Sequence, residues 1–192
     1  MQKRVELYLP SGNIGYSELK IKNLDSTERV EPILAPLLST EQLICQVGAA
    51  GLTRFEKIKY IFETEPKSQL KVCVMKASKR NDDFLNCGRC WKCVETLFDI
   101  EAIGKVKEIS TAFDLNDYNN NKDELFEFLA SSRRKREIRL PGMVKKISLI
   151  EAQGGKIPKV LLEYKNSLHL GSNAVPEHQV KRKKWFLAKI TK

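Results

Sequence analysis

Val5-Glu6-Leu7-Tyr8-Leu9 alternates with one apolar face and predicts a short strand, ended by Pro10-Ser11-Gly12. Two prolines between Val30 and Pro36 predict an extended connection. Ser39 with Gln42 three residues on makes a capping box, which predicts a helix to about Val47 with Cys45 as a small buried hydrophobe. After a loop over Gly48–Leu52, Thr53 and Glu56 form a second capping box. It opens a helix from Arg54 to about Glu63 that buries a stripe of Phe55, Ile58, Ile61 and Phe62. Leu70-Lys71-Val72-Cys73-Val74-Met75 reads as a short buried strand, followed by a polar loop from Ala77 to Asn86.

Helical spacing dominates the remainder. Cys93, Leu97, Ile100 and Ile103 fall roughly on one face of a helix starting at Trp91, and Gly104 is placed to end it in a left-handed cap. Asp114 to Asn121 is polar and turn-rich. Asn121 is then expected to cap a helix from Lys122 to about Ser131 that buries Leu125, Phe126 and Leu129. Met143 to Ala152 carries Val144, Ile147 and Ile150 at helical spacing, and Pro158 fits the first turn of a helix to about Leu170. The fold class expected is α/β to mainly α. An α/β region over residues 1–106 carries a cysteine knuckle, and a basic, mainly helical region follows over 107–192.

Charge sharpens that division. Residues 1–130 hold 18 Lys/Arg against 20 Asp/Glu, whereas residues 131–192 hold 16 against 4, so all the basicity lies in the last third. Clusters at Arg133-Arg134-Lys135-Arg136 and Lys181-Arg182-Lys183-Lys184, the second followed by Trp185 and Phe186, suit weak phosphate binding and base stacking. Most such runs are nevertheless plain solvated faces. No apolar run approaches the roughly 20 residues of a membrane span, and Met1–Glu6 lacks the apolar core of a secretory signal. A reducing cytoplasm is the expected compartment.

Chemistry concentrates in the cysteines. Cys87, Cys90 and Cys93 follow a C-x2-C-x2-C spacing, with Cys73 upstream on the expected strand. Two thiols at that spacing can grip one ion, and four complete the tetrahedron that zinc takes with thiolates. Gly88 suits the tight turn, and Cys90 and Cys93 should sit at the start of the following helix, where the helix dipole favours thiolate. Arg89 and Lys92 add nearby positive charge. Structural disulfides fit poorly, because three cysteines this close cannot all pair well. An iron–sulfur cluster uses similar runs, often with a fourth cysteine and a proline soon after, but here Val94 follows and the remaining cysteine is upstream. Zinc on Cys73, Cys87, Cys90 and Cys93 is the favoured reading.

Little else carries chemistry. Ser11-Gly12-Asn13-Ile14-Gly15 matches neither a P-loop nor a dinucleotide fingerprint. His169 and His178 neighbour no candidate nucleophile, and Asp82-Asp83 sits in a polar loop. No independent catalytic site emerges.

The order of motifs carries a resemblance. Pro36-Leu37-Leu38-Ser39-Thr40, Thr53-Arg54-Phe55-Glu56-Lys57, Val72-Cys73, and Asn86-Cys87-Gly88-Arg89-Cys90-Trp91-Lys92-Cys93 with Thr96 occur in that sequence. Over about residues 32–104 the chain resembles the C-terminal part of PP-loop ATP-pyrophosphatase-like proteins (adenine nucleotide alpha hydrolase-like), related to 7-cyano-7-deazaguanine synthase. The resemblance implies a four-cysteine zinc site following a nucleotide-binding domain that activates its substrate by adenylation. That domain's Ser-Gly-Gly-x-Asp-Ser loop does not occur in these 192 residues. The implied role is therefore the structural zinc region of a nucleotide-dependent ligase or synthase whose PP-loop domain is separate or missing. The alternative is a zinc-knuckle module that binds nucleic acid through the basic third.

Overall fold

The computed structural model describes residues 5–10, 27–65, 70–75, 83–131 and 140–169. Within them the fold is mixed α/β and leans towards helix. The chain divides into two compact units, residues 1–64 and 65–192. The cysteine-rich segment lies in the second of these units. Among the described residues, no helix is long and apolar enough to cross a membrane.

The first unit is built on two parallel strands, β1 (Val5–Pro10) and β2 (Leu43–Gly48), in register from Val5 opposite Leu43 to Pro10 opposite Gly48. Parallel pairing requires a crossover, and helix α1 (Thr27–Leu37) lies on that connection and packs on β2. Two expectations are corrected here. Residues 30–36 are helical despite Pro32 and Pro36. Interior prolines remove amide donors and cost about 3 kcal/mol each in an isolated helix; here Pro32 and Ala35 are buried, and Ala35 packs with Val47, Ala50 and Leu9.

The expected helix from Ser39 to Val47 is instead the turn into β2. The Ser39 hydroxyl accepts from Cys45 N at 2.9 Å and donates to Cys45 O at 3.3 Å, while the Thr40 hydroxyl accepts from Leu43 N at 3.1 Å. These side chains serve a turn rather than a helix start. Cys45 is buried as expected, but on a strand. The second capping box forms: at the start of α2 (Arg54–Thr64), Thr53 N donates to Glu56 Oε2 at 2.6 Å and Glu56 N to Thr53 Oγ1 at 3.3 Å. Ile58 and Phe62 form its buried stripe.

The second unit is organised around α3 (Trp91–Ala102), most of whose residues are buried. Gly104, at φ 75°, ends it in a Schellman motif: Gly104 N donates to Glu101 O at 2.9 Å and Lys105 N to Ile100 O at 3.0 Å. A 3-10 turn at Val106–Ile109 leads to α4 (Leu115–Ala130), where Phe126 meets Phe98 of α3 edge-on at 5.0 Å. Helix α4 starts six residues before the expected cap. Asp114 accepts from Asp117 N at 2.9 Å and is the true N-cap, whereas Asn121 marks a kink inside the helix at φ −113°, ψ 16°. Leu125, Phe126 and Leu129 are buried as expected. Residues 140–144 and α5 (Ile147–Glu151) take up the Met143–Ala152 prediction with a break at 145–146, and α6 (Lys159–His169) begins directly after Pro158.

Polar groups fix these helices to one another. Lys122, on α4, donates to Glu101 Oε1 and Oε2 at 2.5 and 2.7 Å and to Lys156 O at 3.0 Å. Lys146 pairs with the buried Asp99, and Gln153 Nε2 donates to Ala102 O at 3.0 Å.

Candidate metal centre

The knuckle begins at Cys87. Gly88 takes φ 68°, a left-handed conformation that glycine adopts without penalty, and the chain folds back so that Cys90 N donates to Cys87 Sγ at 3.3 Å. Cys90 is the N-cap of α3 in extended conformation (φ −72°, ψ 159°), and no side-chain hydrogen bond caps the helix there. Cys93 follows in the first turn, fully buried. Its Sγ lies 3.9 Å from Cys87 Sγ and 3.4 Å from Cys90 Sγ. Knuckle, cap and first turn thus aim three sulfurs at one point, as the C-x2-C-x2-C spacing implies.

Cys73 arrives differently. Residues 70–75 form no strand, and Val74 is 49% exposed, so the expected buried strand is corrected. Its single apolar run resembled a strand, but its backbone groups bond to a side chain instead of a ladder. Asn86 Oδ1 accepts from Val72 N at 2.8 Å and Cys73 N at 3.0 Å, and Asn86 Nδ2 donates to Leu70 O at 2.7 Å. Met75 N donates to Cys73 Sγ at 3.4 Å. With Cys73 in place, the four Sγ atoms of Cys73, Cys87, Cys90 and Cys93 lie within 4.8 Å of one another. They form a candidate metal site, and all five cysteines of the chain are free thiols. Cys45 sits in the first unit, outside this set.

The electrostatics suit a cation. Hydrogen bonding to Cys87 and Cys90 pushes the Cys93 thiol far up from its ordinary range. Cys87 is pushed up to about 11, chiefly by its hydrogen bond with Cys90, while Cys90 is pulled down by its bonds with Cys87 and Cys93. Close packing thus favours one thiolate, at Cys90, and opposes ionisation at Cys87 and Cys93; a shared cation reverses that opposition, because ligation needs thiolates. Donors at Met75 N and Cys90 N and the positive end of α3 favour the same charge state. The two flanking cations are engaged elsewhere: Arg89 pairs with Asp117, and the Lys92 ammonium lies over the Trp91 ring, 5.3 Å from its centroid.

Of the other residues singled out, Asp83 is exposed. Ser11-Gly12-Asn13, Asp82, the clusters at 133–136 and 181–184, Trp185, Phe186, the His169 side chain and His178 lie outside the described residues. The pattern reading missed Asn86, which it took as the end of a polar loop. No local signal marked it, because the backbone groups its side chain bonds, at residues 70–73 and 112, lie far from it along the chain. Comparison with family models, curated proteins and solved structures gives no match.

Proposed function

We propose that Cys73, Cys87, Cys90 and Cys93 hold one zinc ion, and that this chain is the structural zinc region of a PP-loop-like, nucleotide-dependent enzyme of the adenylating ligase or synthase type. The observation that carries the metal reading is the mutual approach of the four Sγ atoms, all within 4.8 Å. A tetrahedron with zinc–sulfur bonds of about 2.3 Å has edges of about 3.8 Å. The contacts at 3.4 and 3.9 Å bracket that edge. An iron–sulfur cluster, with its thiolates on different irons, needs the sulfurs spread around several metal atoms.

Four thiolates fill the zinc coordination shell and leave no position for water or substrate, so the ion's role is structural. The association with an adenylating enzyme rests on the motif order from Pro36 to Thr96, and ATP binding then belongs to a PP-loop domain other than these residues.

Elemental analysis of protein purified without added metal tests the site, with one zinc per chain expected. Iron with a visible charge-transfer band, or no metal, overturns it. Calorimetry with Mg-ATP tests the division of labour. The chain alone is expected to show no binding, and micromolar binding overturns the assignment of ATP to another domain.

A further inference from the structure

Three of the four thiols are brought together by one short stretch of chain, but the fourth comes from a segment with no ladder to hold it. We propose that Asn86 is the positioning residue of the metal centre: its side-chain amide stands in for a neighbouring strand and delivers Cys73 as the fourth ligand. The proposal rests on the reading of the four thiols as a metal site and goes beyond it, because it names what makes the site four-coordinate.

Asn86 is 2% exposed, so each of its polar atoms needs a partner within the protein. A carboxamide offers two donors and two acceptor lone pairs, and here all four are used. Oδ1 accepts from Val72 N at 2.8 Å and Cys73 N at 3.0 Å; Nδ2 donates to Leu70 O at 2.7 Å and Ala112 O at 3.2 Å. Three of these bonds fall on residues 70–73 and satisfy both amide and carbonyl groups, as an adjacent strand would. The fourth, together with Asn86 N donating to Ala112 O at 3.1 Å, ties the clamp to the chain just before α4. One peptide bond then joins the clamp to Cys87, so the amide that grips the Cys73 backbone is set directly against the knuckle.

Asparagine meets these demands where its neighbours in chemistry do not. Aspartate keeps the two acceptor contacts, loses both donors, and puts a carboxylate beside a site whose four thiolates already outweigh one dication. Alanine loses everything and leaves Val72 N, Cys73 N and Leu70 O to find other partners. Outer groups that orient a ligand typically change metal affinity 10- to 100-fold when removed.

Cobalt(II) is the probe, because its absorption distinguishes four-thiolate from three-thiolate tetrahedral sites. Zinc affinity is read in parallel by chelator competition. The full chain is expected to bind one cobalt with a four-thiolate spectrum. Asn86→Ala should retain one site but show the spectrum of Cys73→Ser, with zinc affinity lowered about 10- to 100-fold. The double variant Asn86→Ala/Cys73→Ser should bind no more weakly than Cys73→Ser alone, since the clamp acts only through Cys73; a merely structural residue would add its loss. A four-thiolate spectrum and unchanged affinity in Asn86→Ala overturn the proposal, as does a further tenfold loss in the double variant. Where Asn86→Ala does not fold, Asn86→Asp serves, with a partial shift of the spectrum expected and an unchanged one overturning the proposal. If the unaltered chain binds no cobalt, the metal reading itself falls and the clamp with it.

Discussion

Replacing Lys122 by methionine should destabilise the second unit by about 3–5 kcal/mol, the usual cost of leaving one member of a buried ion pair without the other. Lys122 is 2% exposed, and all three of its ammonium donors are used, two on Glu101 and one on Lys156 O. Its ammonium also lies 4.9 Å from the centre of the Tyr118 ring. Without it, the Glu101 carboxylate keeps, among the described residues, the Tyr118 hydroxyl at 2.9 Å, and the Lys156 carbonyl loses this donor. Glu101→Met is expected to cost as much by stranding the ammonium. Joining the two methionines removes both charges, leaving a polar remainder of about 1–3 kcal/mol for each of the Tyr118 hydroxyl and the Lys156 carbonyl. The double variant should therefore lie close to either single variant, well short of their sum. Urea unfolding at saturating zinc, with midpoint and slope both compared, measures these differences without mixing in the metal equilibrium. Single losses below about 1 kcal/mol, or a double loss equal to the sum, would refute the view that this pair clamps α3, α4 and the loop at Lys156 together.

Cys93→Ala should lose the zinc-dependent part of the melting transition, whereas Cys45→Ala, which removes a small buried group from β2, should cost only about 1–2 kcal/mol; thermal melts with and without zinc check both. Gly88→Ala should cost about 1–2 kcal/mol because φ 68° strains any residue with a Cβ, even though the space beside it is open; chemical denaturation of that variant measures it. Asp123 has its carboxyl held below the usual range, first by its bond from Lys156 and then by the Lys159 amide. Its contribution is thus fully present above the unfolded carboxyl value and lost as pH falls through the lower folded one. Asp123→Asn should cost at most about 1 kcal/mol at neutral pH and nothing in strong acid, a difference that urea midpoints across the acid range will reveal.

What the sequence made legible was whatever bonds locally. Thr53 and Glu56 satisfy each other across three residues, and Gly104 ends α3 through carbonyls a turn away. The knuckle at Cys87 to Cys93 is equally local. Ser39 carries the same three-residue signature as Thr53, yet its hydroxyl serves Cys45, because residues 43–48 pair with a strand far upstream. Pattern cannot separate the two outcomes, since the deciding partner is tertiary. Helix α1 fails for the same reason: Pro32 and Pro36 speak against a helix locally, and the packing of Ala35 on Val47 outweighs them. Asp114 was legible in principle as a cap. Its helix was read from Asn121 instead, because the polar stretch between them hides Tyr118, which faces the core.

The position of the proposed metal gives a reason for a fold of this size to place four thiols at one spot. Helix α3 is the centre of the second unit, and its C-terminal end is held by a Schellman turn, by Gln153 on the Ala102 carbonyl and by Glu101 on Lys122. At the N-terminal end the Cys90 side chain makes no capping hydrogen bond, although a helix start leaves amide donors and a partial positive charge to be met. With the proposed ion bound, thiolates at Cys90 and Cys93 would place negative charge at that end and tie it to two further segments, at Cys73 and Cys87. The Arg89–Asp117 pair and the contacts of Asn86 with Ala112 O carry the same anchor across to the start of α4. Withdrawal of the ion should therefore loosen residues 70–75, 86–93 and 112–120 together while leaving the first unit intact. Hydrogen exchange confined to fewer of these segments would show that the ion supports the knuckle alone.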